Sequence, residues 1–182
     1  MIVLVGASAS GKTEVAKMLA KKYGIVKMIT TTTRPMRIGE QDGKDYFFVS
    51  RQEFEKRIKE NRFVEHTVYN GNFYGSGRDQ IGINKCIVVD PKGLSAFINL
   101  NDPNIYTFLL TANEDTRYDR MLSRGDLPEY AQNRVEHDIV EFANRKLVKT
   151  DYVIDTELYD VERVADIVYE EYMKAIKNKS AH

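Results

Sequence analysis

The stretch GASASGKT, Gly6 to Thr13, limits what this 182-residue chain can fold into more than any other part of it. It satisfies G-x-x-x-x-G-K-[ST] at every fixed position, and the apolar run Ile2–Val5 stands directly ahead. Behind it Val15, Ala16, Leu19 and Ala20 recur at helical spacing up to Gly24. Strand, glycine-rich loop and helix in that order are the context in which this motif wraps a polyphosphate. The glycines let successive backbone N–H groups turn inward, and the helix N-terminus adds positive potential. Gly6, Ala7, Ser8, Ala9, Ser10, Gly11, Lys12 and Thr13 are therefore expected to bind a nucleoside triphosphate, with Lys12 on the β- and γ-phosphates and the Thr13 hydroxyl on Mg2+. The motif leaves the acceptor open. Water would make a hydrolase and a second substrate a kinase, and no NKxD-type base-reading signal of a GTPase stands late in the chain.

Short apolar runs at Ile2–Val5, Cys86–Asp90, Ile105–Leu110 and Tyr152–Asp155 alternate with helical patterns. Runs apolar on both faces read as buried parallel strands. Val161, Val164, Ala165, Val168, Tyr172 and Ile176 form the core stripe of a late helix. The pattern is that of one α/β domain on a parallel sheet. Basic and acidic residues balance at 27 each, so no global field draws nucleic acid or a membrane, and an anion site must be built locally. The start has no basic n-region and only a short apolar run, unlike a signal peptide or membrane span. The single cysteine, Cys86, suits a reducing compartment, and a cytoplasmic protein is expected. Cys86 lies in an apolar run and reads as a buried strand residue. His66, His137 and His182 have no metal-ligand spacing, so no zinc site is expected.

The segment 31–82 breaks the alternation. Ser50–Glu53 (SRQE) has the form of a capping box opening a helix to about Glu60, with Phe54 and Ile58 as its apolar edge. RFVEHTVYNGNFYGS then alternates and turns at Asn70-Gly71, a hairpin signal. Strand, helix and hairpin suggest a small mixed β insertion on the core. Ahead of them lies TTTTRPMRIGEQDGKDYFF, Thr30 to Phe48. Arg34 and Arg37 stand three apart around Pro35, and two guanidinium forks so placed suit one phosphate dianion. Tyr46 and Tyr74 could add phenolic donors to the same oxygens.

From Thr32 to Ser76 the chain resembles the GMP-binding region of guanylate kinases almost continuously, beside a matching phosphate-binding loop. The resemblance extends from residue 1 to about 155, with motifs specific up to about 90. It implies a single domain: a three-layer parallel-sheet P-loop kinase core (1–30 and 83–182), a small mixed α+β GMP-binding insertion (31–82) and a short lid at about 120–134. It implies Mg2+-dependent transfer of the γ-phosphoryl group of ATP to GMP, giving ADP and GDP. On this resemblance Arg34, Arg37, Tyr46 and Tyr74 grip the GMP phosphate. Thr30, Glu65 and Ser76 read the guanine, and Asp90 of VVDPKG stands beside the acceptor. Arg120, Arg124 and Arg134 reach the transferring phosphoryl group. ATP and GMP are the implied partners; dGMP use, and monomer against homodimer, stay open. Two alternatives remain at this stage, a related kinase of a phosphorylated sugar such as ribose bisphosphate and a non-catalytic guanylate-kinase-like binding module. The chain departs from the family pattern in three places: Thr30 replaces serine, Val88 stands where an aspartate is common, and the lid is about one residue shorter between Arg124 and Arg134.

Overall fold

A computed structural model describes residues 1–143 and 149–180. Its elements in chain order are β1 (Ile2–Val5), α1 (Lys12–Tyr23), β2 (Val26–Lys27), β3 (Thr31–Thr32), β4 (Phe47–Phe48), α2 (Arg51–Lys59), β5 (Phe63–Tyr69), β6 (Asn72–Gly77), β7 (Lys85–Val88), α3 (Pro91–Ile98), β8 (Tyr106–Thr111), α4 (Glu114–Ser123), α5 (Pro128–Ala143), β9 (Tyr152–Asp155) and α6 (Val161–Ser180).

Five strands form one parallel sheet in the order β2-β7-β1-β8-β9. Strand β1 explains the layering. Its side chains alternate in direction, and all four are fully buried. Ile2 and Leu4 pack with Val15 and Leu19 of α1 and with Val164, Val168 and Tyr172 of α6. Val3 and Val5 pack with Leu94 and Phe97 of α3 on the other face. Each such side chain contributes about 1.5–3 kcal/mol relative to exposure, which is why strands apolar on both faces sit inside three layers. Cys86 is buried in β7, and burial pushes its thiol up to about 12. The expected strand Cys86–Asp90 ends at Val88 instead, because Asp90 turns to cap α3, its Oδ1 accepting the Gly93 N–H at 2.7 Å.

The second sheet has four strands in the order β4-β3-β6-β5, with β3–β4 parallel and the other pairs antiparallel. Phe54 of α2 is wholly buried against it, stacked on Phe63 with ring centroids 4.4 Å apart. Val64 of β5 packs against the α3 side of the main core and so ties the two sheets together. Asn70 and Gly71 both take positive φ, 47° and 75°, as the two-residue hairpin turn requires. Only half of the expected capping box forms. Ser50 Oγ accepts the Glu53 N–H at 3.1 Å, but the Glu53 carboxylate turns to Arg57 Nε at 2.8 Å, a charged donor one turn on.

Candidate active site

The loop Gly6–Thr13 leaves β1 beside β8. A Cβ on Gly6 would lie 2.2 Å from the carbonyl oxygen of Leu110, so glycine alone permits the approach. Gly11, at φ 92°, N-caps α1 with no side-chain oxygen, which leaves the first N–H groups of the helix open to an anion. Ala9 also takes a left-handed φ, 59°, at a cost on the order of 1 kcal/mol for a residue with a Cβ. Lys12 Nζ donates to Ala7 O at 2.7 Å. Burial is the main reason its ammonium pKa falls to about 8; Asp138 opposes that fall, while Arg117 and Arg124 add to it.

A cleft of about 600 Å³ opens beside the loop, lined by Gly11, Lys12, Thr13, Arg120, Arg124 and Thr156, with Tyr159 at its edge. Arg120 is held there: Nη1 donates to Ala9 O and Thr156 Oγ1, and Nη2 to Thr156 O at 3.0 Å. Arg124, at the C-terminal end of α4, is exposed and pairs with Asp126, which holds that carboxyl below its usual range. Arg134 does not line this cleft. It lies 4.0 Å from the same Asp126 and borders a smaller depression with Ser8, Tyr130 and His137.

In the small sheet the register gathers a second group. Glu65 pairs with Ser76 across β5–β6, and Thr31 pairs with both Gly75 and Phe47. Carried one residue outward, supported by the Phe47 N–H to Thr30 O bond of 2.9 Å, this register sets Thr30 opposite Ser76 and beside Tyr46. Tyr46, Thr30, Ser76 and Glu65 therefore form one row across the four strands, and residues paired in this way share a face. Ser76 Oγ donates to Glu65 Oε1. Tyr74, two residues from Ser76 on that face, meets Tyr46 edge to face at 6.1 Å. The Arg34 guanidinium lies over the Tyr46 ring at 5.5 Å. Arg37 stays apart: it is exposed, and its guanidinium has no hydrogen bond or ion pair among the described residues.

The guanylate kinase family model matches residues 1–126. The chain is 34% identical over 177 residues to a guanylate kinase of Chlorobaculum tepidum, covering 92% of this chain and 89% of the relative. It is 32% identical to a guanylate kinase of Anaplasma phagocytophilum, over 91% of this chain and 82% of that one. This chain belongs to the guanylate kinase family. The crystal structure of guanylate kinase from A. phagocytophilum superposes with a TM-score of 0.64 at 27% identity, covering 96% of this chain and 84% of that one.

Within this member of the family, several residues of the two groups escaped the sequence reading. Glu40 accepts from Arg34 Nη2 at 2.6 Å and from the Arg37 backbone N–H at 2.7 Å. It lies inside the arginine stretch, six residues from Arg34, and its acidity beside two arginines was a readable signal. Thr156 fixes Arg120 from the β9 end, and nothing in its sequence surroundings marks it. Arg117 and Asp138 form a buried pair at 2.8 Å, and Asp138 also accepts from Ser8 of the loop. His137, Asp138 and Glu141 bring ligand atoms within 4.8 Å of one another, a grouping that the histidine spacing did not suggest. His182 lies outside the described residues.

Proposed function

We propose that this chain transfers the γ-phosphoryl group of ATP to GMP, giving ADP and GDP. The observation that carries the reading is the row Tyr46–Thr30–Ser76–Glu65 with Arg34 beside it, a carboxylate and hydroxyls next to a cationic clamp, in a chain that also holds a phosphate-binding loop. Glu65 would accept the guanine N1–H and amino group, with Thr30 and Ser76 assisting. Arg34, Tyr46 and Tyr74 would take the phosphate, joined by the uncommitted guanidinium of Arg37. The outer carboxylate oxygen of Asp90 is left for the acceptor. No general base is required, because the attacking phosphate oxygen is already anionic. The work of the protein is then in-line alignment and neutralisation of charge by Lys12, Arg120 and Arg124, joined by Arg134 only once the lid closes over ATP. The core is assigned to 1–30 and 83–182, the GMP-binding region to 31–82 and the lid to about 120–134.

Mg2+ fits the residues present. Thr13 lines the cleft at the first turn of α1, and one hydroxyl suits an ion that takes most of its ligands from phosphate and water. When bound, the ion would neutralise charge on the β- and γ-phosphates. Val88 packs against the apolar core, so that strand position offers the ion no carboxylate. No described helix is long and apolar enough to cross a membrane. We assign the reaction to the cytoplasm on the free buried thiol of Cys86, which suits a reducing compartment.

A coupled ADP-release assay across GMP, dGMP, AMP, UMP, CMP and ribose bisphosphate tests the reading. Turnover with GMP far above AMP, UMP and CMP is expected. Faster turnover with ribose bisphosphate, or ADP release without an acceptor, would overturn it.

Two further results are expected. Lys12 is partly neutral above pH 8 in the free protein, because its folded pKa lies below the ordinary 10.5. A polyphosphate favours the ammonium, so ATP binding at pH 8.5 should take up a proton and weaken as pH rises through about 8. Calorimetry in buffers of different ionisation enthalpy measures that uptake, and none would contradict the placement of Lys12. Arg34→Ala should weaken GMP binding by about tenfold or more, because the phosphate loses a charge-assisted donor. Guanosine binding should hardly change, and equal losses for the two ligands would remove Arg34 from the phosphate.

A further inference from the structure

One buried carboxylate joins the α4–α5 pair to the phosphate-binding loop, and we propose that Asp138 is a positioning residue, holding Ser8 so that the loop is set to receive ATP. The inference rests on the kinase reading above. Asp138 Oδ2 accepts the Ser8 N–H at 2.8 Å and a hydrogen bond from Arg117 Nη1 at 2.8 Å; Oδ1 accepts from Ser8 Oγ at 3.3 Å. The side chains of Arg117 and Asp138 are only 5% and 9% exposed. Three separate elements thus meet at a single carboxylate: the loop, α4 and α5.

The neighbouring residue shows why such a hold matters. Ala9 takes a left-handed backbone although it carries a Cβ, and strained conformations persist where the surroundings over-determine them. The α4–α5 unit supplies that restraint from outside. Ala9 packs against Met121, Ala131 and Val135, and its carbonyl accepts from Arg120. With Ser8 held by Asp138, the middle of the loop is gripped by side chain, backbone and apolar contact from the same two helices. Moving α5 would release the Ser8 bonds and the Ala131 and Val135 contacts, leaving the loop to Arg120 and Met121 of α4.

Stability does not account for the pair. Arg117 Nε is buried and has no partner among the described residues, so the pair carries an unmet donor. A buried ion pair with an unsatisfied group is a poor substitute for two packed apolar side chains. The charge does have a use beside the loop. The Asp138 carboxylate favours the charged form of Lys12, while Arg117 offsets the repulsion a lone carboxylate would exert on an incoming polyphosphate. The His137–Asp138–Glu141 grouping carries less, because the Asp138 carboxylate is already engaged by Arg117 and Ser8.

Three variants test the proposal: Asp138→Ala, Asp138→Asn and the double change Arg117→Met with Asp138→Leu. Each is read by melting temperature, by the KM values for ATP and GMP, and by calorimetry with a non-hydrolysable ATP analogue. Asp138→Ala should raise the KM for ATP about tenfold, the scale of losing one hydrogen bond to a charged group, and leave the KM for GMP within about twofold. Asp138→Asn keeps an acceptor for the Ser8 N–H and should fall between. The double variant should recover the melting temperature through apolar packing, yet keep the raised KM for ATP, since Ser8 still lacks its partner. Recovery of both would overturn the proposal, as would equal rises in the two KM values. If Asp138→Ala does not fold, the double variant decides alone. A wild type that fails to phosphorylate GMP would sink the proposed function instead, and binding of the ATP analogue to the same variants would still decide the role of Asp138.

Discussion

Lys12→Ala is expected to lower kcat by about 10³-fold, the scale of removing one preorganised charge-stabilising donor, while leaving GMP affinity within about twofold. The separation follows from where each group is built. Lys12 opens α1 and lines the cleft between the loop and α4. The Glu65 and Arg34 group stands on a different sheet, with its own core around Phe54. The variant should also hold its melting temperature or gain slightly. Burial already disfavours the lysine charge, so the fold loses only the 2.7 Å bond to Ala7 O and an attraction to Asp138 that Arg117 and Arg124 oppose. That result separates lost chemistry from lost structure. The check is GMP titration by calorimetry beside turnover and a melt. GMP affinity falling as steeply as kcat would show that the two groups do not act independently.

How much of this was readable in the sequence depends on how local each determinant is. Strands β1 and β9 were legible to the residue because they are short apolar runs, and the Asn70-Gly71 turn because its chemistry is contained in two residues. Strand β4 was expected only as an unbounded strand ahead of the Ser50 cap, and β3 was not expected at all. Each has only two residues, too few for any periodicity, and each exists because Thr31 finds both Phe47 and Gly75. The loop Gly6–Thr13 is contiguous and could be read whole. The convergence of Arg34, Tyr46 and Tyr74 required the sheet register, yet a resemblance over one continuous stretch had already grouped them. Asp138 lay beyond reach, since nothing in the spacing of a charged helix marks a carboxylate that will meet Ser8, 130 residues away. The lid arginines fell between these cases. Their spacing was plain, but only Arg120 and Arg124 reach the cleft, while Arg134 shares Asp126 outside it.

Glu65 carries the sharpest expectation, selection of guanine over adenine. It stands on β5, an edge strand of the small sheet, and Ser76 holds its Oε1. Guanine presents two adjacent donors, N1–H and the amino group, and one carboxylate can accept both. Adenine places a lone pair at N1 and nothing at C2, so the carboxylate would lose its water and find no donor. A site built on such hydrogen bonds can reject the wrong base by about 10⁴-fold, and kcat/KM for GMP over AMP should reach that order. Glu65→Gln keeps the shape of the side chain. The Ser76 hydroxyl can donate to an amide oxygen or accept from an amide nitrogen, so the new amide can settle either way round. In both orientations one of the two guanine donors faces an N–H. GMP use should therefore fall by about 2–3 kcal/mol in kcat/KM, the cost of leaving one buried donor unpaired. Phosphorylation of AMP should not fall with it, so the ratio of the two narrows. Steady-state kinetics with GMP and AMP on both proteins measure this directly. A wild type that uses AMP as readily as GMP, or a Glu65→Gln variant with unchanged GMP kinetics, would show that the carboxylate does not read the base.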